Sequence, residues 1–449
     1  MTGCFYGKAV RISLWIFVVM LLASSVVTAE DNMTVEDAVI IGLRNNFDIQ
    51  IAHNSAEAAR NDTGKGTAGF MPTLDSLGNF GYDSTNSYGR TTNPGADQDS
   101  RTYGSLLSLQ WTLFDGFRMF ADNRRYQELA LQGEEQARDI IETTVVSIMR
   151  AYFDLVSQKQ LLDVAVKNID ISRARLHREE VRRSLGGASS TDLLNARVNF
   201  NTDQTLLLEQ KLRVNIARKE LNILLVREAD DPLKIKKEID VPLLELSLPE
   251  LQQRSLDASA TLQVARHRML AVEEDVKIAD SAFWPQLILG GQYGYTNRKS
   301  LESGSGSSSL YGGGNSRTLD AAATLQLRFN LFNGDIDRIN AQNARLSAKS
   351  AALSLADIQT RISGFMYELY KTYMKQVEVV DLERQNTVTA EQNMQLQKER
   401  YQTGAADSLE FRDAQVNVLR AESSLIRARY QARIAFLDIQ RLIGEISIN

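Results

Sequence analysis

The chain has 449 residues, of which 51 are basic and 56 acidic, so its formal net charge of −5 is small for this length. This balance argues against a nucleic-acid-binding surface and against an acidic tail. The hydrophobic fraction of 43% suffices for a folded core, and 27 glycines with 6 prolines exclude collagen-like and disordered classes.

The first segment of the chain has the pattern of a secretory signal. Two basic residues precede an apolar run at 12–27, and small residues lead to a predicted cleavage site after Ala29. We therefore expect residues 1–29 to be removed on export, with an uncleaved membrane anchor as the alternative. Because Cys4 is the one cysteine, the exported chain has no thiol for a disulfide or a metal, and we predict no metal site and no cofactor.

The two halves of the exported chain repeat the same short sequences in the same order. The segment at 70–72 recurs at 283–285, and the segment at 113–116 recurs at 331–334. Two copies of one unit, with a loop insertion in the second copy, explain this repetition. The predicted boundaries are 30–229 for the first structural repeat, 230–249 for an irregular joint and 250–449 for the second repeat.

Each repeat contains two segments in which apolar and polar side chains alternate, as in a strand with one apolar face. The alternation is clear in the second repeat, where Leu325 and Leu327 stand between Thr324, Gln326 and Arg328. The predicted strands lie at about 72–83, 103–114, 285–296 and 319–332. The connections at about 84–101 and 297–318 are rich in Ser, Gly, Asn and Thr, which predicts long exposed loops.

Long segments almost free of glycine and proline follow the strands, at 117–185 and 335–403. Each predicts a helix about 100 Å long. Apolar residues form two neighbouring rows on these helices, as expected for the staves of a closed cylinder, whereas a buried helix of a globular bundle is the alternative. Small-residue turns near 186–190 and 404–408 end the long helices, and a further helical segment returns from each turn.

After residue 29 no apolar run is long enough for a transmembrane helix, so any membrane crossing must use β-strands. Four strands cannot close a membrane barrel, and we expect other subunits to complete it. The polar faces of the strands would line water, and the apolar faces of the strands would meet lipid. The candidate residues of an aromatic girdle are Tyr82, Trp111, Trp284, Tyr293 and Tyr295. The alternative is a soluble β-layer packed on helices.

Several motifs together resemble those of the TolC-like outer-membrane efflux proteins. The resemblance covers essentially the whole exported chain and includes the Met33–Ala38 segment and the tip sequences Arg182–Asn199 and Arg400–Asn417. It also includes residues at the junctions between helices and strands. These junction residues are Pro72, Pro285, Asp115, Gly116, Asn333 and Gly334.

The resemblance implies a mainly α fold with a small β part. Long antiparallel helical hairpins would form a trimeric α-barrel, and four strands per chain would complete a shared twelve-stranded transmembrane β-barrel. It further implies an outer-membrane exit channel of a tripartite system for efflux or type I secretion. Small molecules or unfolded polypeptide would reach it from an inner-membrane transporter through a periplasmic adaptor. A periplasmic coiled-coil adaptor or scaffold protein without a pore is the alternative.

The resemblance also assigns roles to residues near the periplasmic tip. The predicted pore constriction comprises Asp192, Asn195, Glu410 and Asp413, although on a single chain the acidic members also suit a solvated first helical turn. The predicted adaptor-docking turns contain Gly186, Gly187, Gly404 and Ala405. Tyr401 and Arg400 are possible partners in a latch that keeps the tip closed.

An enzymatic function has little support in the sequence. The three histidines, His53, His177 and His267, lack metal-ligand spacing, and no phosphate-binding glycine loop joins a strand to a helix. The arginines between 173 and 183 alternate with Glu179 and Glu180, which predicts an ion-paired helix surface.

Overall fold

The computed structural model describes residues 32–85, 97–185, 190–303 and 315–446. The predicted signal segment therefore lies outside the described residues. Within them the chain forms long helices and one antiparallel sheet, and each half of the chain has the same order of elements.

The first half contains α1 (Val35–Asn45), α2 (Phe47–Asn61), β1 (Thr73–Thr85), β2 (Asp97–Asp115), α3 (Arg118–Ser184) and α4 (Ser190–Leu224). The second half contains α5 (Leu248–Ala258), α6 (Ala260–Asp280), a 3₁₀ turn (Ser281–Phe283), β3 (Gln286–Ser303), β4 (Asn315–Arg328), α7 (Ile336–Thr403) and α8 (Ser408–Leu442). Corresponding helices have nearly equal lengths, with 67 and 68 residues in α3 and α7 and 35 residues in both α4 and α8.

The long helices lie side by side in a single layer. In the half near the tip, α4 packs on α3, α3 on α8 and α8 on α7, so α4 and α7 are the edges there. In the half near the sheet, α2 packs on α3, α3 on α6 and α6 on α7, so α2 and α7 are the edges. The main core of the layer lies where α3 meets α1, α4 and α8, and Ile148, Leu155, Leu221 and Leu437 are fully buried there. Burial of each such side chain stabilises the fold by about 1.5–3 kcal/mol.

A second core joins the short helix α5 to α7 and α8. Leu251 of α5, Met366 of α7 and Ile439 of α8 are its fully buried members. The hydroxyl of Tyr373 donates a hydrogen bond to the carbonyl of Pro242, which attaches the segment before α5 to this core. The two cores together hold the middle of the helical layer.

The connection between α4 and α5 is irregular and ends at Leu248, where α5 begins. Met33 and Ile235 form an isolated parallel bridge, and the hydroxyl of Tyr152 donates to the Met33 carbonyl at 2.9 Å. Lys159 donates from Nζ to the carbonyl of Leu233 at 2.8 Å. These contacts fasten the joint to α3 and satisfy backbone groups that have no strand partner.

The four strands form one antiparallel sheet in the order β1-β2-β3-β4, with β1 and β4 as its edges. The predicted loops are too long, because β2 begins at Asp97, β3 continues to Ser303 and β4 begins at Asn315. Ser, Thr and Asn indicated loops there, yet cross-strand pairing continues through these polar residues. β4 also ends at Arg328, before the predicted end at 332.

Among the described residues, no helix has both the length and the apolar character needed to cross a lipid bilayer.

Candidate functional site

The sheet has one apolar and one polar face, because side chains alternate along each strand and the pairing register aligns those of neighbouring strands. Leu107 pairs with Tyr293, and Tyr293 pairs with Ala321, on the apolar face. Ser108 pairs with Gln292 on the polar face. β4 is exposed along its whole length, and no helix within the described residues covers the apolar face.

The aromatic residues of the predicted girdle are exposed and lie at different heights on the strands. Tyr82 and Tyr295 lie toward the loops, whereas Trp111 and Trp284 lie toward the helices. The indole nitrogen of Trp111 donates to the Phe70 carbonyl at 3.0 Å. Tyr293 lies between these levels, opposite Leu107.

The strand-to-helix turns use the same backbone conformation in both halves. Gly116 and Phe117 have φ of +70° and +69°, and Gly334 and Asp335 have +71° and +66°. At Gly116 a Cβ atom would lie 2.5 Å from the Ser281 carbonyl oxygen, so the turn needs glycine for both its φ and its space.

The other predicted junction residues lie close to these turns. Asp115 accepts a hydrogen bond from the backbone of Met119 at 3.0 Å and so caps the start of α3. Pro72 and Pro285 directly precede β1 and β3, where a proline needs no ladder hydrogen bond. Asn333 begins the turn before α7.

The four predicted constriction residues all lie in the first turns of the returning helices α4 and α8. Asp192 is half-buried, whereas Asn195, Glu410 and Asp413 are exposed on the protomer. Glu410 forms an ion pair with Arg400 at 3.5 Å. In the single chain, three of these four side chains are therefore open to solvent.

The predicted docking turns are only partly described. Gly186 and Gly187 lie outside the described residues. Gly404 ends α7 in a left-handed conformation with φ of +78°, and the backbone of Ala405 donates to the Arg400 carbonyl at 2.8 Å. This arrangement is a glycine cap that satisfies the final carbonyls of the helix.

Tyr401 is buried in a polar contact between the two long helices near the tip. Its hydroxyl donates to the carboxylate of Glu179 on α3, which is fully buried. The guanidinium of Arg178 lies 4.5 Å from the Tyr401 ring centroid, and Phe411 stacks on the ring at 5.2 Å. Burial, and then the bond to Glu179, raise the pKa of Tyr401 to about 12.

A second buried polar cluster lies deeper between the hairpins. Arg412 of α8 forms an ion pair with the fully buried Asp203 of α4, which also accepts a hydrogen bond from Ser172 of α3. Gln415 donates to the side chain of Asn168 at 2.7 Å. Three of the four helices of the layer are thus joined by one hydrogen-bonded network.

The sequence did not indicate these partners. The prediction of an ion-paired helix surface is wrong for Arg175, which is buried and donates to the Ser408 hydroxyl at 3.1 Å. Burial lowers the pKa of Arg175. Asp203 has no basic residue three or four positions away, so it lacks a partner on its own helix, but the sequence alone did not show that it is buried.

Comparison with known proteins agrees with this architecture. The family model described as outer membrane efflux protein matches residues 42–225 and 251–445. The chain is 28% identical over 334 residues to the alkaline protease secretion protein AprF of Pseudomonas aeruginosa, covering 72% of this chain and 66% of AprF. It is 25% identical over 352 residues to the outer membrane protein OprJ of the same species, covering 76% of this chain and 69% of OprJ.

A solved structure of the outer-membrane channel OprN superposes with a TM-score of 0.72 and 20% identity, covering 92% of this chain and 90% of that one. This similarity shows a shared fold. The two segments matched by the family model together cover most of the chain, so the match shows the family to which the chain belongs. The chain belongs to the outer membrane efflux protein family and is an outer-membrane exit channel, not an enzyme.

Proposed function

We propose that three copies of this chain form the exit duct of a tripartite export system, with a shared twelve-stranded β-barrel in the outer membrane and an α-helical barrel in the periplasm. The open four-stranded sheet with an uncovered apolar face is the main observation behind this proposal. Edge strands β1 and β4 leave backbone groups unpaired, and lipid offers those groups no hydrogen bonds.

The helical layer supports the same symmetry, because its edge helices also carry apolar side chains without a partner. On α7 a row at intervals of seven residues contains the exposed residues Ile339, Leu346, Leu353, Tyr367 and Met374. On α4 the exposed apolar residues include Leu194, Val198, Leu208 and Leu212. A spacing of seven is typical of a helix that packs against a neighbour. The half of α7 near the sheet would meet α2 of the next copy, and the half near the tip would meet α4 of the next copy.

The matched halves of the chain support an internal duplication. The equal element order, the paired helix lengths and the identical left-handed turns at Gly116 and Gly334 all fit two copies of one unit. With this repeat, three chains would supply six similar units around one axis. We infer that the repeats extend over 30–229 and 250–449, with 230–249 as the joint.

At the tip, threefold symmetry would bring three copies of Glu410 and of Asp413 toward one axis. Exposed carboxylates facing a narrow passage favour cations. Asp192 and Asn195, at the matching positions in the first half of the chain, would form corresponding rings around the same axis. In this arrangement Tyr401 and Glu179 hold α7 against α3, and opening of the tip would have to separate them.

The names of the relatives indicate only the general class of transported molecule and of partner proteins. AprF and PrtF are named as protease secretion proteins, whereas SepC and TtgF are named as efflux pump outer membrane proteins. The matched segments span about two thirds of AprF and half of PrtF. We infer an inner-membrane transporter and a periplasmic adaptor as partners, with the adaptor at the Gly186–Gly187 and Gly404–Ala405 turns.

The decisive experiment measures the mass and conductance of the purified protein. We expect a trimer that needs detergent and that forms discrete channels in planar bilayers. A monomer that stays soluble without detergent and forms no channels would contradict the proposal and favour a periplasmic scaffold.

A further inference from the structure

The apolar face of the sheet ends in three basic side chains at its loop end. Arg101 on β2 pairs directly with Lys299 on β3, and Arg317 on β4 lies diagonally opposite Lys299. All three side chains are exposed. Directly opposed side chains on neighbouring strands have Cβ atoms about 5 Å apart and diagonal ones about 7–8 Å apart. Arg101, Lys299 and Arg317 therefore form one patch, here called the basic patch.

The two ends of this face differ. At the end near the helices, the corresponding positions of the four strands are apolar. They are Leu74, Trp111, Leu287 and Leu327. Arg328, at the same end, belongs to the polar face because it pairs with Gln286. Over the described strands, the apolar face thus has basic residues at its loop end alone.

The basic patch retains a net positive charge. Among the carboxylates whose side chains the structure describes, none forms an ion pair with Arg101, Lys299 or Arg317. The Arg101 guanidinium lies 6.0 Å from the centroid of the Tyr82 ring. Asp99, on the same face, accepts a hydrogen bond from the Tyr82 hydroxyl. Among the described side chains, three cations lie beside the single carboxylate of Asp99, which favours an anionic ligand.

The height of the basic patch matches a lipid headgroup. At roughly 3.3 Å per residue, the apolar stretch from Leu287 to Tyr295 is about 26 Å long. Strands tilted by ~40° would place this stretch within an apolar band about 25 Å tall. Lys299 lies four residues beyond Tyr295 on the same strand face, where side chains leave the hydrocarbon and meet headgroups.

We propose that the basic patch binds the phosphate groups of a glycolipid headgroup in the outer leaflet. This inference rests on the proposed membrane-spanning sheet, with its loop end outside and its long helices in the periplasm. Guanidinium and ammonium groups are good partners for phosphate oxygens. The patch lies at only one end of the apolar face and would therefore contact only one leaflet. This fits a membrane in which phosphate-bearing glycolipid is in the outer leaflet and not in the inner leaflet.

The test compares the triple variant Arg101→Gln, Lys299→Gln and Arg317→Gln with the matched control Arg298→Gln. Arg298 is next to Lys299 but lies on the polar face, where it pairs with Thr102. Delipidated trimers are titrated with bisphosphorylated lipid A or with chemically dephosphorylated lipid A, and bound lipid is counted by native mass spectrometry.

We expect wild type and Arg298→Gln to prefer the phosphorylated lipid, and the triple variant to bind it at least tenfold more weakly, since each cation near an anionic lipid surface contributes about fivefold. High salt should reduce the preference. Equal binding by wild type and triple variant would overturn the inference, as would equal binding of the two lipids. Lys299→Gln alone, with an expected loss of about fivefold, tests the same idea if the triple variant does not fold.

Conductance in neutral bilayers separates this inference from the proposed function. The triple variant should conduct like the wild type, because the basic patch lies outside the lumen. Wild-type protein that conducts but binds lipid A independently of phosphate contradicts this inference alone. Wild-type protein that neither inserts nor conducts contradicts the proposed function itself.

Discussion

Arg412 on α8 and Asp203 on α4 form a two-armed ion pair, with Nη1–Oδ2 and Nη2–Oδ1 distances of 2.6 Å and 2.9 Å. The two helices are not neighbours in the layer, because α3 lies between them. The pair forms beside Ser172, a small residue of α3 whose hydroxyl donates to the same carboxylate. This ion pair joins the α3–α4 hairpin to the α7–α8 hairpin near the tip.

We expect Asp203→Asn to lower the free energy of unfolding by about 3–5 kcal/mol, since it leaves the Arg412 charge largely buried without its counterion. Thermal unfolding in detergent would measure the change. The matched control is Asp357→Asn, which breaks an exposed ion pair with Arg361 and should cost less than about 1 kcal/mol. Equal effects of the two substitutions would show that burial of the Asp203 pair has no special cost.

Alkaline pH should destabilise the fold through Tyr401. Its folded-state pKa of about 12 exceeds the ordinary value of 10.0. The unfolded chain therefore loses its phenolic proton first, and this contribution to stability is complete below pH 10 and disappears as the pH rises to about 12. The loss is on the order of 2–3 kcal/mol.

The variant Tyr401→Phe should show a smaller loss of stability between pH 10 and pH 12 than the wild type, as measured by thermal unfolding. Tyr152 serves as the comparison because burial also raises its pKa to about 12, at the α3 core. If Tyr401→Phe leaves the alkaline transition unchanged, the Glu179–Tyr401 contact does not contribute to it.

The acidic residues at the tip should control cation passage. We expect Glu410→Ala combined with Asp413→Ala to raise single-channel conductance and to weaken block by multivalent cations, because it would remove six carboxylates from the proposed trimeric constriction. Glu378→Ala, an exposed substitution within α7, is the control. Unchanged conductance and unchanged block in bilayer recordings would remove Glu410 and Asp413 from the constriction.

Two adjacent residues of β4 provide a test of which sheet face meets lipid. Leu325→Arg places a charge on the apolar face and should reduce membrane insertion by about 2–4 kcal/mol, whereas Gln326→Arg should be tolerated on the polar face. Both side chains are exposed in the protomer. Heat-stable insertion into detergent-free liposomes would measure the difference, and the opposite order of effects would reverse the assignment of the faces.

The apolar row on α7 should stabilise the proposed trimer. We expect Leu346→Glu with Leu353→Glu to increase dissociation to monomers in mild detergent, because both carboxylates would lie in an interface between protomers. Gln359→Glu, an exposed change away from the row, should leave the trimer intact. Light scattering would measure the mass, and a stable trimer of the double variant would exclude this row from the interface.

The strands and long helices were predictable because their signals are local. Alternation of side chains from Leu325 to Arg328 indicates a strand with two different faces, and the segments without proline indicate uninterrupted helices. The strand ends were predicted poorly, since Asp97 and Asn315 have loop-like neighbours and become strand residues only through pairing with β3. Pairing across strands depends on residues far apart in the sequence.

The sequence by itself determined the alternating faces of the strands, the lengths of the helices and the glycine turns, because each depends on neighbouring residues. Only the tertiary structure decided that Tyr401 contacts Glu179 and that Asp203 contacts Arg412. These partners lie on different helices, more than 200 positions apart in the sequence. Their contacts arise when the layer brings α4, α3, α8 and α7 together, because burial then requires each buried charge to find a partner.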